Sequence, residues 1–172
     1  MWDFIALIAF TMALSAQDAS VVAAAAPACG PMDATFEVQK DGSHHATMQP
    51  EPGKALVYMV QEDCVGLGCP STKVAVDGTW MGANLNKSYF SFATNPGVHH
   101  VCVTLRSRSS IAPRFVGLLH FTAEAGESYY FRTRLLYGEG GDIISIDLDR
   151  IDSDQGKFFT AAYPPSVSHP VK

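Results

Sequence analysis

Residues 87–106, KSYFSFATNPGVHHVCVTLR, hold two strand-like runs on either side of one turn. The first run ends at Asn95-Pro96-Gly97, residue types that favour a turn. In the second run apolar and polar side chains alternate, which is the pattern of a half-buried strand. One face holds Val101, Val103 and Leu105, and the other holds His100, Cys102 and Thr104.

The same alternation of short β-prone runs and turn residues extends in both directions from this segment. Asp77-Gly78 is a strong signal for a hairpin. Such runs recur every ~8–12 residues, which is typical of a sandwich or barrel and leaves no room for crossover helices. The other predicted strands are Thr35–Val38, Lys54–Gln61, Lys73–Val76, a segment restarting at Trp80, Phe115–Ala123, Ser128–Tyr137 and Asp142–Asp149.

We therefore predict an all-β domain over residues 29–162. Its expected form is an antiparallel β-sandwich of about seven to nine strands, immunoglobulin-like or transthyretin-like. A short C-terminal helix is expected to begin with Asp152 or Ser153 as N-cap, with Gly156 limiting its stability. Residues 163–172 contain three prolines and are predicted to form an irregular tail.

Composition supports a single domain with a substantial core. Of the 172 residues 47% are hydrophobic, which excludes wholesale disorder, and only 17% are charged. Twelve Lys and Arg stand against 17 Asp and Glu, giving a formal net charge of -5. This balance provides no electrostatic pull toward nucleic acid or anionic lipid.

The first residues resemble an export signal. Phe4–Ala16 has thirteen uncharged residues, the length of a signal-peptide hydrophobic region and too short for a bilayer-spanning helix. Small residues follow, so residues 1–28 are predicted to be a signal peptide and an Ala-rich leader. The segment before the hydrophobic region carries Asp3 and no Lys or Arg, which departs from the usual pattern. An uncleaved signal is the alternative.

The four cysteines support an oxidising destination. They form an even set, and disulfides persist in secreted and periplasmic proteins. The two glycines between Cys64 and Cys69 let the chain turn back, which favours pairing these two and leaves Cys29 for Cys102. Zinc binding with downstream histidines and free thiols are the alternatives. Acylation of Cys29 is a further alternative, although the usual Leu three residues before it is absent.

Three aromatic residues near the predicted hairpins form the strongest candidate binding patch: Trp80, Tyr89 and Phe90. Aromatic side chains on an exposed β edge can stack on sugars or on partner proteins. The alternative is that they pack the hairpin and the core.

Other polar groups have simpler structural explanations. His99 and His100 are adjacent in a strand, so their side chains point to opposite faces and cannot readily chelate one metal. The carboxylates Asp147, Asp149, Asp152 and Asp154 lack the calcium-loop pattern, so a solvated strand face and a helix cap account for them. A basic loop that could contact an acidic surface carries Arg106, Arg108 and Arg114 with Ser107, Ser109 and Ser110.

The sequence contains no G-x-S-x-G, H-E-x-x-H, P-loop or dinucleotide-binding motif. We therefore predict no catalytic residue, no cofactor and no metal.

Four segments taken together resemble a known bacterial family: GKALVYMV, VAVDGTWMG, SYFSFATNPGVHHVCV and FTAEAGESYYFR, all within Pro52–Asp149. They are similar to the family called domain of unknown function 2846. The resemblance implies an exported or envelope β-sandwich, often in predicted lipoproteins, and it supplies no catalytic residues.

These observations lead to an expected function. The chain is predicted to be a non-catalytic, exported β-sandwich with a binding or structural role in the envelope or outside the cell. Its expected partner is an envelope or extracellular protein or a glycan, with no nucleic acid. It would meet a membrane only through a lipid anchor or an uncleaved signal. The alternatives are a lipoprotein acylated on Cys29 and a hydrolase with a site built on loops.

Overall fold

A computed structural model describes residues 28–42, 48–64, 69–106 and 115–171 of the chain. The predicted signal peptide lies outside the described residues except for Ala28. Most of the predicted basic loop, residues 107–114, lies outside them as well.

The described residues form ten strands and a C-terminal helix. In chain order these are β1 (Thr35–Lys40), β2 (Ala55–Gln61), β3 (Thr72–Val76), β4 (Thr79–Asn84), β5 (Ser88–Thr94), β6 (Gly97–Leu105), β7 (Val116–Ala123), β8 (Ser128–Tyr137), β9 (Ile143–Ile151), α1 (Ser153–Ala162) and β10 (Ser166–Val171).

The strands form two four-stranded sheets and a two-stranded ribbon. Sheet I has the order β5-β2-β8-β9, sheet II has the order β4-β3-β6-β7, and the ribbon pairs β1 with β10. The predicted all-β sandwich with a short C-terminal helix is confirmed. The strand number is ten, above the predicted seven to nine, because the tail adds one strand.

One strand pair departs from the predicted antiparallel arrangement. β2 and β8 run parallel, with Tyr58 opposite Tyr130, while the other pairs of named strands are antiparallel. Between β2 and β8 the chain crosses to sheet II and back twice, because β3–β4 and β6–β7 lie in sheet II and β5 lies in sheet I. β8 can therefore return in the direction of β2 without a crossover helix, a route that the spacing of the runs does not reveal.

The main core lies between the inner faces of the two sheets. Sheet I contributes Val57, Met59 and Phe131, and sheet II contributes Val74, Val101 and Val103, all 0% exposed. The predicted alternation in β6 is confirmed, because Cys102 packs on the opposite side from Val101 and Val103. All seven residues of β2 are buried, since its second face is covered as well.

The prediction of an irregular tail is wrong for Ser166–Val171, which form strand β10. Ser168 Oγ accepts a hydrogen bond from the backbone N–H of Ala83 at 3.1 Å, and Ser166 Oγ accepts one from Leu85 N–H at 3.1 Å. These serines therefore satisfy backbone donors on the edge strand β4 and just after it. Proline is tolerated in the ribbon because an edge strand can lack one ladder donor. The three prolines of the tail indicated irregular structure, so the sequence did not predict this strand.

Helix α1 begins as the sequence predicts. Asp152 is the N-cap, and its Oδ1 accepts hydrogen bonds from the backbone N–H groups of Asp154 and Gln155, both at 2.9 Å. These contacts satisfy two of the free donors at the start of the helix.

Candidate functional site: the tyrosine cleft

Three tyrosines lie side by side on the outer face of sheet I. Tyr58 is on β2, Tyr89 on the neighbouring β5 and Tyr130 on β8. The rings of Tyr58 and Tyr130 are stacked, with centroids 4.9 Å apart and planes 7° apart, and the Tyr58 and Tyr89 centroids are 6.0 Å apart. Offset aromatic pairs of this kind form a rigid apolar surface.

Helix α1 is packed directly onto this surface. Gly156 is buried against Tyr130, and a Cβ added to it would lie 2.7 Å from Tyr130 Cβ and closer still to the ring. Phe159 and Tyr163, from the end of the helix, pack against the same tyrosine cluster. The absent side chain of Gly156 therefore lets the helix axis approach sheet I.

An open cleft of about 800 Å³ runs beside the helix, and we call it the tyrosine cleft. Its lining includes Tyr58 and Tyr130 from sheet I, Met48, Ser128 at the start of β8, and Lys157 and Thr160 from α1. Clefts of this size with aromatic walls and a few polar groups are the usual form of small-ligand sites.

The polar groups of the cleft are suited to hydrogen bonding. The Tyr58 hydroxyl donates to the backbone oxygen of Met48 at 3.3 Å. Burial raises the pKa of Tyr58 to about 12, with the neighbouring Tyr130 and Tyr89 adding to the rise and the Met48 hydrogen bond opposing it. Tyr58 therefore stays a neutral phenol across the physiological pH range.

Thr160 is one of the hydroxyl-bearing residues of the cleft wall. Thr160 Oγ1 donates to the helix carbonyls of Gly156 at 3.0 Å and Lys157 at 3.2 Å, so its hydroxyl is already engaged by the helix backbone. The described lining residues include no histidine beside a hydroxyl, the arrangement that activates a serine or threonine nucleophile.

The arrangement closest to a hydrolytic triad lies elsewhere, at the ends of β5 and β6. His99 Nδ1 is 2.6 Å from Asp77 Oδ2, and His99 Nε2 is 3.2 Å from Thr94 Oγ1. The backbone oxygen of Asn95, however, is only 2.7 Å from His99 Nε2. An imidazole whose two nitrogens both face acceptors is held as a double donor, so Nε2 has no free lone pair with which to act as a base.

The His99 contacts instead join two turns, since Asp77 is in the β3–β4 turn and Asn95 is in the β5–β6 turn. Burial alone would lower the pKa of His99, but its hydrogen bonds to Asp77 and Asn95 and the Asp77 charge together raise this pKa above 6.5. Burial would raise the pKa of Asp77, but hydrogen bonds from His100 N–H and His99, with the histidine charges, lower it. The pair is therefore a charge-assisted link.

We expect this link to make the free energy of unfolding depend on pH. Because the folded pKa of His99 lies above the unfolded value of 6.5, its contribution is fully present below pH 6.5 and is lost as pH rises through the folded pKa. Urea unfolding of the wild type and of His99→Gln between pH 5 and 9 measures this contribution to the free energy of unfolding. The difference in stability between the two proteins should shrink as pH rises. A constant difference would contradict the assignment.

The predicted patch residues Trp80, Tyr89 and Phe90 belong to three different clusters, so they do not form one patch. Tyr89 is 4% exposed in the tyrosine cluster, and Phe90, its neighbour in β5, packs against the core between the sheets. Trp80 packs outside sheet II beside the Cys29–Cys102 pair. Because side chains alternate between the two faces of a strand, the adjacent residues Tyr89 and Phe90 point to opposite faces of sheet I.

Both predicted cysteine pairings are present. Cys29 is bonded to Cys102, with Cα atoms 5.0 Å apart, and Cys64 is bonded to Cys69, with Cα atoms 5.9 Å apart. Two disulfides are typical of proteins in an oxidising compartment. The Cys29 sulfur is thus engaged in a disulfide, whereas lipid attachment would require it as a free thiol.

The segment following Cys29 is also fixed to sheet II by Lys73, which is 3% exposed. Its Nζ donates to the backbone oxygens of Met32 at 2.6 Å and Ala34 at 2.9 Å and lies 4.3 Å from the Trp80 ring centroid. Burial lowers the pKa of Lys73, and the charge of Asp33 opposes that shift. This network fixes the half-buried Trp80 ring beside Lys73.

Three of the four carboxylates considered for calcium have other roles. Asp149 is 2.7 Å from Arg132, Asp147 pairs with Arg134, and Asp152 caps α1. Within the described ranges, no group of three or more His, Cys, Asp or Glu residues is arranged to hold a metal.

Comparisons with known proteins add no relatives. No protein-family model matches the chain, and the search of curated proteins finds no match. None of the helices in the described part of the chain has the length and apolar character needed to cross a bilayer. The geometry of the cleft is therefore the main source for a functional proposal.

Proposed function

We propose that this chain is an exported bacterial β-sandwich protein that binds a ligand in the tyrosine cleft without catalysing a reaction. The ligand is a glycan of the envelope or the extracellular space. The observation that carries the proposal is the cleft itself, with the stacked pair Tyr58 and Tyr130 in its wall. The Tyr58 and Tyr130 rings are 4% and 8% exposed, so they form the floor of the cleft with little area open to a ligand, and the hydroxyl, amide and charged groups of the other lining residues would hydrogen-bond to sugar hydroxyls.

Export is supported by the signal-like first residues, by the two disulfides and by the resemblance to domain of unknown function 2846. The intact mass of the mature protein tests this part of the proposal. An unmodified chain starting between residues 17 and 28 supports it, and a diacylglyceryl group on Cys29 would establish the lipoprotein alternative.

We expect a bulky side chain in the cleft to weaken ligand binding. Ala161 lines the cleft from α1 and is exposed, so Ala161→Trp fills space without entering the core. The measurement follows tyrosine ring signals by NMR during titration with soluble N-acetylated and neutral oligosaccharides. Wild type should show saturable shifts of Tyr58 and Tyr130, and Ala161→Trp should show at least about a tenfold weaker response, a loss of about 1.4 kcal/mol.

Phe158→Trp is the matched control, because Phe158 is 66% exposed on the same helix and does not line the cleft. It should bind as the wild type does. Equal responses of Ala161→Trp and the wild type would place the ligand elsewhere. Absence of any saturable shift across the oligosaccharide panel would overturn the glycan assignment.

A further inference from the structure

A second group of polar residues lies on the outer face of sheet II, away from the tyrosine cleft. His100 on β6 is directly opposite His120 on the neighbouring antiparallel strand β7. Their ring centroids are 6.3 Å apart, with planes 37° apart. Directly opposite side chains of adjacent strands have Cβ atoms ~4.5–5.5 Å apart, so both rings reach the same point above the sheet.

Both imidazoles are accessible and can change rotamer. The His100 side chain is 62% exposed, and His120 is also exposed. Their neighbours along this face, Val98 and Leu118, are 61% and 49% exposed and provide no competing ligand. Rotation about the side-chain torsions can therefore bring a nitrogen of each ring toward one cation without moving the backbone.

A fixed negative charge lies beside the pair. Asp77 Oδ1 is 3.9 Å from His100 Nδ1 and accepts a hydrogen bond from His100 N–H at 2.8 Å, while Asp77 Oδ2 is held by His99. Because the carboxylate is tied on both oxygens, it acts as a neighbouring charge and not as a ligand that must move. This charge favours a cation near His100.

We infer that His100 and His120 form a surface site for a divalent transition-metal ion, with Cu²⁺ as the strongest-binding metal. Two imidazole nitrogens occupy adjacent positions of a tetragonal complex, and water completes the coordination. Imidazole suits Cu²⁺, Ni²⁺ and Zn²⁺, and Cu²⁺ binds most tightly of the three to a given nitrogen site. Two protein ligands make an exchangeable site, in contrast to the closed four-ligand sites of structural zinc.

The test uses the full chain with His44 and His45 replaced by alanine in every sample, because these two adjacent histidines could bind the same metal. Cu²⁺ is titrated against glycine as a competitor, with calorimetry for stoichiometry and electron paramagnetic resonance for nitrogen coordination. We expect one Cu²⁺ per chain with two coordinated imidazoles. His100→Ala and His120→Ala should each weaken binding at least about tenfold, and Ni²⁺ and Zn²⁺ should bind more weakly.

His169→Ala is the matched control, because His169 is an exposed histidine on β10 and belongs to the ribbon. It should leave Cu²⁺ binding unchanged. In the NMR spectrum of the parent protein, substoichiometric Cu²⁺ should broaden the ring signals of His100 and His120 before those of His99 and His169. Unchanged affinity in His120→Ala, or equal broadening of all four histidines, would overturn the site. Cleft variants leave this result unaffected, so it is independent of the proposed function.

Discussion

Replacing Cys29 and Cys102 together by alanine is expected to lower the free energy of unfolding by about 4 kcal/mol. The two cysteines are 73 residues apart, and the loop-entropy model gives about this value for a closure of that length. Both sulfurs are buried against Ala75 on sheet II, so their removal also frees the segment after Cys29. Urea unfolding of the double variant measures the loss.

Cys64→Ala with Cys69→Ala is the matched control for this prediction. That disulfide joins residues five apart, for which the same model gives only about 2 kcal/mol. The Cys29 and Cys102 variant should therefore have the lower unfolding midpoint of the two. The opposite order, or equal midpoints, would show that chain entropy is not the main contribution of the long-range disulfide.

Gly156→Ala is expected to destabilise the protein by about 1–2 kcal/mol, although alanine is the better helix former. Alanine would gain about 1 kcal/mol of helix propensity in an exposed helix. Here its methyl group would overlap the Tyr130 ring, so the helix must move away from sheet I, and overpacking of this kind costs about 1–3 kcal/mol or more. Thermal unfolding should show the lower midpoint, and the tyrosine ring signals should shift because the cleft wall has moved.

Gly42→Ala provides the comparison for the backbone effect of the same exchange. A Cβ at Gly42 meets nothing within 4 Å, and its backbone torsion is not in the left-handed region. This variant should be neutral or slightly stabilising, because alanine reduces the freedom of the unfolded chain. A midpoint for Gly156→Ala at or above the wild-type value would contradict the close packing of α1 on Tyr130.

The sequence predicted features that depend on neighbours along the chain. The alternation in β6, the turn at Asp77-Gly78 and the N-cap at Asp152 are local patterns, and the structure confirms each of them. The cysteine pairs could also be predicted, since four cysteines allow only three pairings and the two glycines favour closure of the short loop.

The candidate sites depend on residues that are distant in sequence, and these could not be predicted in the same way. Tyr58 and Tyr130 stack because β2 and β8 are parallel neighbours, and no local sequence pattern predicts that pairing. His100 was compared with His99, its neighbour in the chain, whereas its spatial partner is His120 across the strand pair.

Side-chain alternation, turn chemistry and cysteine spacing are local properties, so the sequence alone indicates an all-β domain, its two disulfides and the inward face of β6. Only the tertiary structure decided which strands became neighbours, that the Pro-rich tail added strand β10, and that Gly156 permits close packing instead of merely weakening α1. Strand order is set by the packing of two whole sheets around a shared core. The tyrosine cleft and the His100–His120 pair both arise from that order.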